Sequence, residues 1–284
     1  MKILTFDIED WFHIIDSGKN QNPNDWDQFE YRINDNVERI LDLLQRKNQK
    51  ATFFCLGWIA RKFPEIIKKI DQMDFEIGSH SNSHIPAFNQ NKIEFRDDLV
   101  KSISIIEDLT NKKVKYYRAP SFSIKKENQW VFDELIRNGI EIDCSIFPSS
   151  RSNGGFEGFP SSNPSIISCN GRKIKEFPIN VFKFLGRPIV FSGGGYFRLI
   201  PYFLINKMTN KSNYVISYFH PRDFDINQPI IKNLSYFQKF KSYVGLNSSF
   251  SKLEKLLNDF EFIDLKEANA NIKWNNVQIV KLNI

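Results

Sequence analysis

From Ile3 to Asp143 short apolar runs alternate with segments of helical period, and that rhythm leaves few folds open to the chain. Ile3–Ile8 and Ala51–Leu56 are compact enough for buried strands. Between them Val37, Ile40, Leu41 and Leu44 fall at i, i+3, i+4 and i+7, which predicts a helix over about 36–48 with Asp35 as its cap. Pro64 opens a second helical segment, and Phe75–Ile77 reads as a strand stopped at Gly78. Phe95, Leu99, Ile103 and Ile106 mark a long amphipathic helix before a strand at Val114–Tyr117. Another helix around Trp130–Leu135 closes at Gly139, ahead of a strand at Ile140–Asp143. Repeated βα units predict an α/β fold with a parallel sheet or barrel.

The second half is less regular. Ser, Asn, Gly and Pro dominate residues 147–173, which read as an irregular insertion or hairpin. A helix is expected near Tyr202–Met208, a strand over Tyr214–His220, a late helix through Leu253, Leu256 and Leu257, and a closing strand at Phe260–Ile263. One catalytic domain is expected over 1–284, with 265–284 as a C-terminal extension.

Composition removes several functions. The chain has 284 residues, 41% hydrophobic and 25% charged, which excludes disordered and collagen-like classes. Its net charge of +6 comes without a dense basic run, so no nucleic-acid partner is implied. Cys55, Cys144 and Cys169 are too scattered for a disulfide framework or a CxxC zinc site, which favours a reducing compartment. Acidic residues interrupt the N-terminal apolar run before a signal-peptide core forms, and no transmembrane-length apolar stretch occurs. The expectation is a cytoplasmic protein whose membrane contact, at the inner face, would be peripheral.

Chemistry collects at the predicted strand ends, where an α/β scaffold holds loops rigidly. Asp7, Glu9 and Asp10 follow the first strand, His80 and His84 the third, Arg118 the fourth, and His220 a late one. The HxxxH spacing brings two imidazoles to one side of a loop, and a nearby carboxylate completes a set suited to a divalent metal with open positions. A second carboxylate would then be available as a base. Alternation along the strand favours Glu9 beside Asp7, whereas a turn after Ile8 would present Asp10, so both remain eligible ligands. An arginine before Ala-Pro at a strand end can hold a carboxylate and keep it ionised.

Five ordered segments carry a resemblance: TFDIED (5–10), EIGSHSNSH (76–84), RAPSF (118–122), DCSIFP (143–148) and FHPRDFD (219–225). In this order they resemble the motifs of polysaccharide deacetylases, the NodB homology domain of carbohydrate esterase family 4. SGGGYFRLIP and YFHPRDFD further resemble the exopolysaccharide and O-antigen cluster branch. The resemblance implies a distorted (β/α) barrel of about seven strands and hydrolysis of an N-acetyl group. It also implies a divalent metal, zinc first with cobalt or nickel as alternatives. The implied partner is an N-acetylated glycan or glycolipid precursor.

By motif, the resemblance makes Asp7 the general base, Arg118 its positioning partner and His220 the general acid. His80 and His84 would be ligands, with Glu9 or Asp10 as the third, and Asp143 would orient a neighbour. Substrate contacts are expected from Ser121, through its backbone N–H, and from Trp11, Phe122 and Tyr196. Trp58 is also aromatic but reads as core, and His13 and the cysteines as structural. Competing readings are an allantoinase-like cyclic-amide hydrolase, an iron oxygenase and a non-catalytic carbohydrate-binding relative.

Overall fold

The structure is a computed structural model that describes residues 1–14, 22–149, 154–184, 187–231 and 234–282. The N-terminal run splits into β1 (Lys2–Ile3) and β2 (Thr5–Ile8), and β3 (Thr52–Cys55) pairs with β2 in parallel register, Asp7 opposite Phe54. β4 (Glu76–Ser79), β5 (Tyr116–Tyr117) and β6 (Ile142–Asp143) follow outward, each parallel to the last. Helices fill the crossovers: α1 (Ile33–Arg46), α2 (Gly57–Lys62), α3 (Pro64–Gln72), α4 (Lys92–Thr110) and α5 (Val131–Arg137). α1 buries Val37, Ile40, Leu41 and Leu44. Cutting one of these leucines to alanine costs about 2–5 kcal/mol.

The cap of α1 is not Asp35. The helix starts at Ile33, and its first N–H groups are met from across the chain by the Asp10 carboxylate, which accepts from Arg32 N and Ile33 N.

Residues 147–173 end in order. β7 (Ser165–Cys169) and β8 (Arg172–Glu176) form an antiparallel hairpin around Asn170-Gly171, both at positive φ as a two-residue turn requires. β8 then lies parallel to β6, Asp143 beside Glu176. Residues 150–153 of that stretch lie outside the described residues.

Downstream come a small hairpin of β9 (Phe182–Phe184) and β10 (Arg187–Ile189), then α6 (Gly194–Leu199) and α7 (Tyr202–Lys211). β11 (Val215–Ile216) pairs with β1 in parallel. The predicted strand at 214–220 is therefore short, continued only by bridges from Phe219 to Phe6 and from Tyr218 to Gly193. After α8 (Tyr236–Tyr243) and α9 (Leu246–Asp259), the expected closing strand at 260–263 reduces to one bridge, Ile263 to Ile3. α10 (Leu265–Asn271) leads into β12 (Ile279–Lys281), which joins β7 at the sheet's edge.

The principal sheet runs β12-β7-β8-β6-β5-β4-β3-β2. It is mostly parallel, as expected. Among the described residues its ladders stay open, so the expected barrel is not closed by continuous pairing. The carboxyl ends of β2, β4, β5 and β11 nevertheless face a common edge, the position where ligands bind in such folds.

Candidate active site

Asp7 sits in β2 with its amide donating to Phe219 O (2.8 Å), which ties the first strand to the segment carrying His220. Its Oδ1 accepts from Arg118 Nη1 at 2.7 Å, and both side chains are buried. Arg118 is held further by Thr5 Oγ1 (2.7 Å), by Cys144 O (3.3 Å) and by the face of Phe54, 4.3 Å from the guanidinium carbon. One donor nitrogen, Nη2, is buried without a hydrogen-bond partner.

Glu9 points to the same side. His84 Nε2 contacts its Oε2, and His80 Nε2 lies 3.9 Å from that oxygen. One ligand atom from each of Glu9, His80 and His84 lies within 4.8 Å of the others, and all three residues are buried.

The set fits a divalent cation. Glu9 Oε2 is buried against His84 Nε2, and the carboxyl is held below the ordinary range. Burial raises that carboxyl, but His84, His220 and His80 outweigh it. His80 Nδ1–H donates to Arg118 O at 2.8 Å, which fixes the tautomer and leaves Nε2 turned to the cluster. Burial lowers the His80 imidazole to about 4, so it is neutral, as a ligand must be.

The histidine loop is built by its backbone. Asp98 accepts from Asn82 N (2.7 Å) and Ser83 N (3.0 Å), Ser81 Oγ from His84 N (3.1 Å), and Ser81 O from Gly57 N (2.9 Å). Ser81 and His84 adopt left-handed backbone, so the loop reverses twice within one HxxxH span.

His220 closes the site from the other side. Its Nε2 stands 3.7 Å from Asp7 Oδ2 and 3.5 Å from Glu9 Oε1. Its Nδ1–H donates to Asp223 Oδ2 at 2.9 Å, and the same oxygen accepts the His220 amide at 3.0 Å. Burial pulls this imidazole down, but Asp223, Glu9 and Asp7 overcome it and raise the group to about 9. Asp223 lies 3.2 Å from Arg198 Nε and is held at about 2, its burial outweighed by His220 and Arg198.

Asp10 is outside the ligand cluster. Its carboxylate accepts from Trp11 N, Arg32 N and Ile33 N, capping both the Trp11–His13 turn and α1. Both oxygens are committed to backbone, so Glu9 is the carboxylate that faces the histidines. His13 Nδ1 accepts the Asp10 amide, and burial holds the ring well below its usual pKa, in keeping with a structural role.

Two expected sugar contacts belong to the interior. Trp11 is buried against Phe12 and Phe29, with its indole N–H donated to Glu30 O. Phe122 is buried between Phe147 and Tyr218, its ring 5.7 Å from the Arg118 guanidinium. Tyr196 is half exposed on α6, and Trp58 is buried among Trp26, Phe12 and His13. Ser121 is partly buried on the turn after Arg118, where Ser121 and Phe122 both have φ of 55°. Gly154 packs so closely there that a Cβ would lie 2.1 Å from Ser121 O.

Asp223 and Arg198 lie within FHPRDFD and SGGGYFRLIP, but the motifs assign neither a role. The i, i+3 spacing of a capping box was the available signal for Asp223. For Arg198 the signal was the preceding glycine run: a Cβ on Gly193 would come 2.4 Å from Tyr218 O, so this backbone reaches the His220 segment only as glycine.

A buried two-histidine, one-carboxylate cluster beside an arginine-held aspartate, at the carboxyl edge of a parallel sheet, defines an α/β protein with a candidate hydrolytic metal centre. The family model described as polysaccharide deacetylase matches residues 4–135, and a domain of unknown function (DUF3473) matches 144–270. Residues 4–135, which supply Asp7, Glu9, His80, His84 and Arg118, are thus similar to that family. A Bacillus cereus peptidoglycan-N-acetylglucosamine deacetylase is 33% identical over 117 residues, 37% of this chain and 42% of the relative. A Helicobacter pylori peptidoglycan deacetylase is 29% identical over 110 residues, 39% and 36% of the two chains. The chain thus spans less than half the length of either. A crystal structure described as "putative polysaccharide deacetylase from Mycobacterium smegmatis" shares the fold, with TM-score 0.65, 17% identity, and coverage of 99% of this chain and 92% of that one.

Proposed function

We propose that the chain is a metal-dependent hydrolase that removes N-acetyl groups from an amino sugar of a bacterial surface polysaccharide or its glycolipid precursor. The observation that carries this reading is the approach of His220 Nε2 to Asp7 Oδ2 and Glu9 Oε1, at 3.7 and 3.5 Å, beside the Glu9–His80–His84 cluster. A base, an acid and a ligand set converge within the span of one amide. Relatives named as peptidoglycan deacetylases support the same chemistry.

Glu9, His80 and His84 would hold the cation, and this mixed nitrogen and oxygen set suits zinc, with cobalt or nickel as alternatives. When bound, the cation would polarise the acetyl carbonyl and acidify water.

Arg118 engages Asp7 through Oδ1 and leaves Oδ2 to accept a proton from water as its oxygen attacks the acetyl carbonyl carbon. The Ser121 N–H is the proposed donor to the oxyanion. His220, kept charged by Asp223, gives its proton to the amine nitrogen as the C–N bond breaks. Acetate and a free amino sugar leave.

The test is acetate release from N-acetylglucosamine oligosaccharides and peptidoglycan fragments by the zinc-loaded protein. Asp7→Asn should lower the rate by about 10²-fold or more. An Asp7→Asn protein as fast as wild type would remove Asp7 as base, and a loaded wild type releasing no acetate from any of these would remove the reading.

A further inference from the structure

Between Glu176 and Glu254 the chain holds ten Lys and Arg against two acids, Asp223 and Asp225. Both acids are buried and engaged inward, Asp223 by His220 and Arg198, Asp225 by Arg32 and Asn36. The excess of positive charge in this stretch is larger than the net +6 of the whole chain. Among the described residues Lys207, Lys211 and Lys241 of this stretch are exposed, while Arg198 and Lys252 are buried.

The same stretch carries eight of the eleven large apolar side chains exposed to solvent among the described residues. They concentrate on α8, where no residue is buried. Tyr236, Phe237 and Phe240 are 96%, 65% and 52% exposed; Tyr236 and Phe240 are neighbours at i and i+4, and Phe237 stands on the flank of the same face. An ordinary surface helix turns such a face inward, and this one turns it out. Lys241 shares that face, its ammonium 4.3 Å from the centre of the Phe237 ring.

α6 packs alongside. Arg198 donates to Lys241 O (2.9 Å) and Ser242 O (2.7 Å) at the end of α8, while Leu199 is exposed. α7 continues the surface with exposed Phe203 and, one turn on, exposed Lys207.

We propose that this face docks on an anionic phospholipid surface, with the α8 aromatics at the headgroup boundary and the lysines against lipid phosphates. Charge complementarity selects that occupant. A second copy of this chain would set the lysines of α8 against one another, because the exposed acid beside this surface, Asp259, already accepts from Tyr202 and Asn206 on α7. Tyr and Phe beside Lys are the side chains that settle at such a boundary, apolar body inward and polar tip to water. Because Arg198 reaches from this face to Asp223, docking would set His220 beside the headgroup plane.

The test is sedimentation of the full chain with vesicles of mixed phosphatidylglycerol and phosphatidylcholine, against vesicles of phosphatidylcholine alone, and it needs neither metal nor turnover. Wild type should pellet with the anionic vesicles, remain in solution with the neutral ones, and be released by high salt. Phe237→Ser with Phe240→Ser, and separately Lys241→Glu, should each weaken binding at least about tenfold. Tyr236→Ser, at a fully solvated site that cannot disturb packing, should weaken it as well.

Wild type left in solution with anionic vesicles overturns the proposal, as does undiminished binding by these variants. A dimer in sedimentation velocity that the same substitutions dissolve would overturn it in favour of self-association.

Discussion

Arg118 and Asp7 form an ion pair of 2.7 Å with both side chains sealed from solvent. Its geometry ties the end of β5 to β2, and the arginine has no access to water to compensate a lost partner. Replacing Arg118 by Met should leave Asp7 uncompensated and cost about 3–5 kcal/mol of stability. Arg118→Lys keeps the charge but not the fork that also reaches Thr5 Oγ1 and Cys144 O, and should fall between. Urea unfolding of both variants checks the order.

Glu9 and Asp10 are neighbours with opposite duties. Glu9→Gln should abolish stoichiometric metal binding with little change in fold. Asp10→Ala should keep the metal and lose about 1–2 kcal/mol, because it removes a cap shared by two elements. Metal content together with thermal unfolding separates the two, and loss of metal in Asp10→Ala alone would reverse the assignment.

His220 makes the pH dependence directional. Its folded pKa of about 9 lies above the ordinary 6.5, so in the metal-free protein its contribution to stability is complete below about 6.5. That contribution is lost as pH rises through 9. Asp223→Asn should move the midpoint down, and zinc loading should do the same by offsetting the Glu9 charge that faces the ring. Titration of the His220 ring protons by NMR reads all three. If His220 acts as the acid, Asp223→Asn should also draw in the alkaline limb of activity, lowering kcat more than it changes KM.

Asp98 reaches the candidate metal site through the loop it anchors at Asn82 N, Ser83 N and Ser83 Oγ. Asp98→Ala should therefore weaken metal affinity by about 10–100-fold without touching a ligand. Competition with a metal indicator measures it, and unchanged affinity would show that the loop holds itself.

Much of this arrangement was legible because side chains at strand ends inherit their placement from the βα rhythm. Asp7, His80, His84, Arg118 and His220 sit in short motifs at the ends of apolar runs, whereas strand alternation and a turn after Ile8 left Glu9 and Asp10 both eligible. Asp10 was not legible, because its partners are backbone N–H groups of Arg32 and Ile33, more than twenty residues away. The burial of Trp11 and Phe122 was not legible for a related reason: an aromatic ring beside a motif packs equally well beneath it. The Ser, Asn, Gly and Pro content of 147–173 marked an insertion or hairpin, and Asn170-Gly171 is the turn of the hairpin found there. Arg198 could be placed only once Gly193 was seen against Tyr218.

The most direct test of the central claim measures metal content and acetate release on the same preparation, before and after chelation and after zinc is restored. The account predicts about one metal per chain, acetate release from an N-acetylated glycan that chelation abolishes and zinc restores, and neither property in Glu9→Gln. Acetate release that survives full removal of the metal, or a Glu9→Gln protein that keeps both metal and activity, would contradict it.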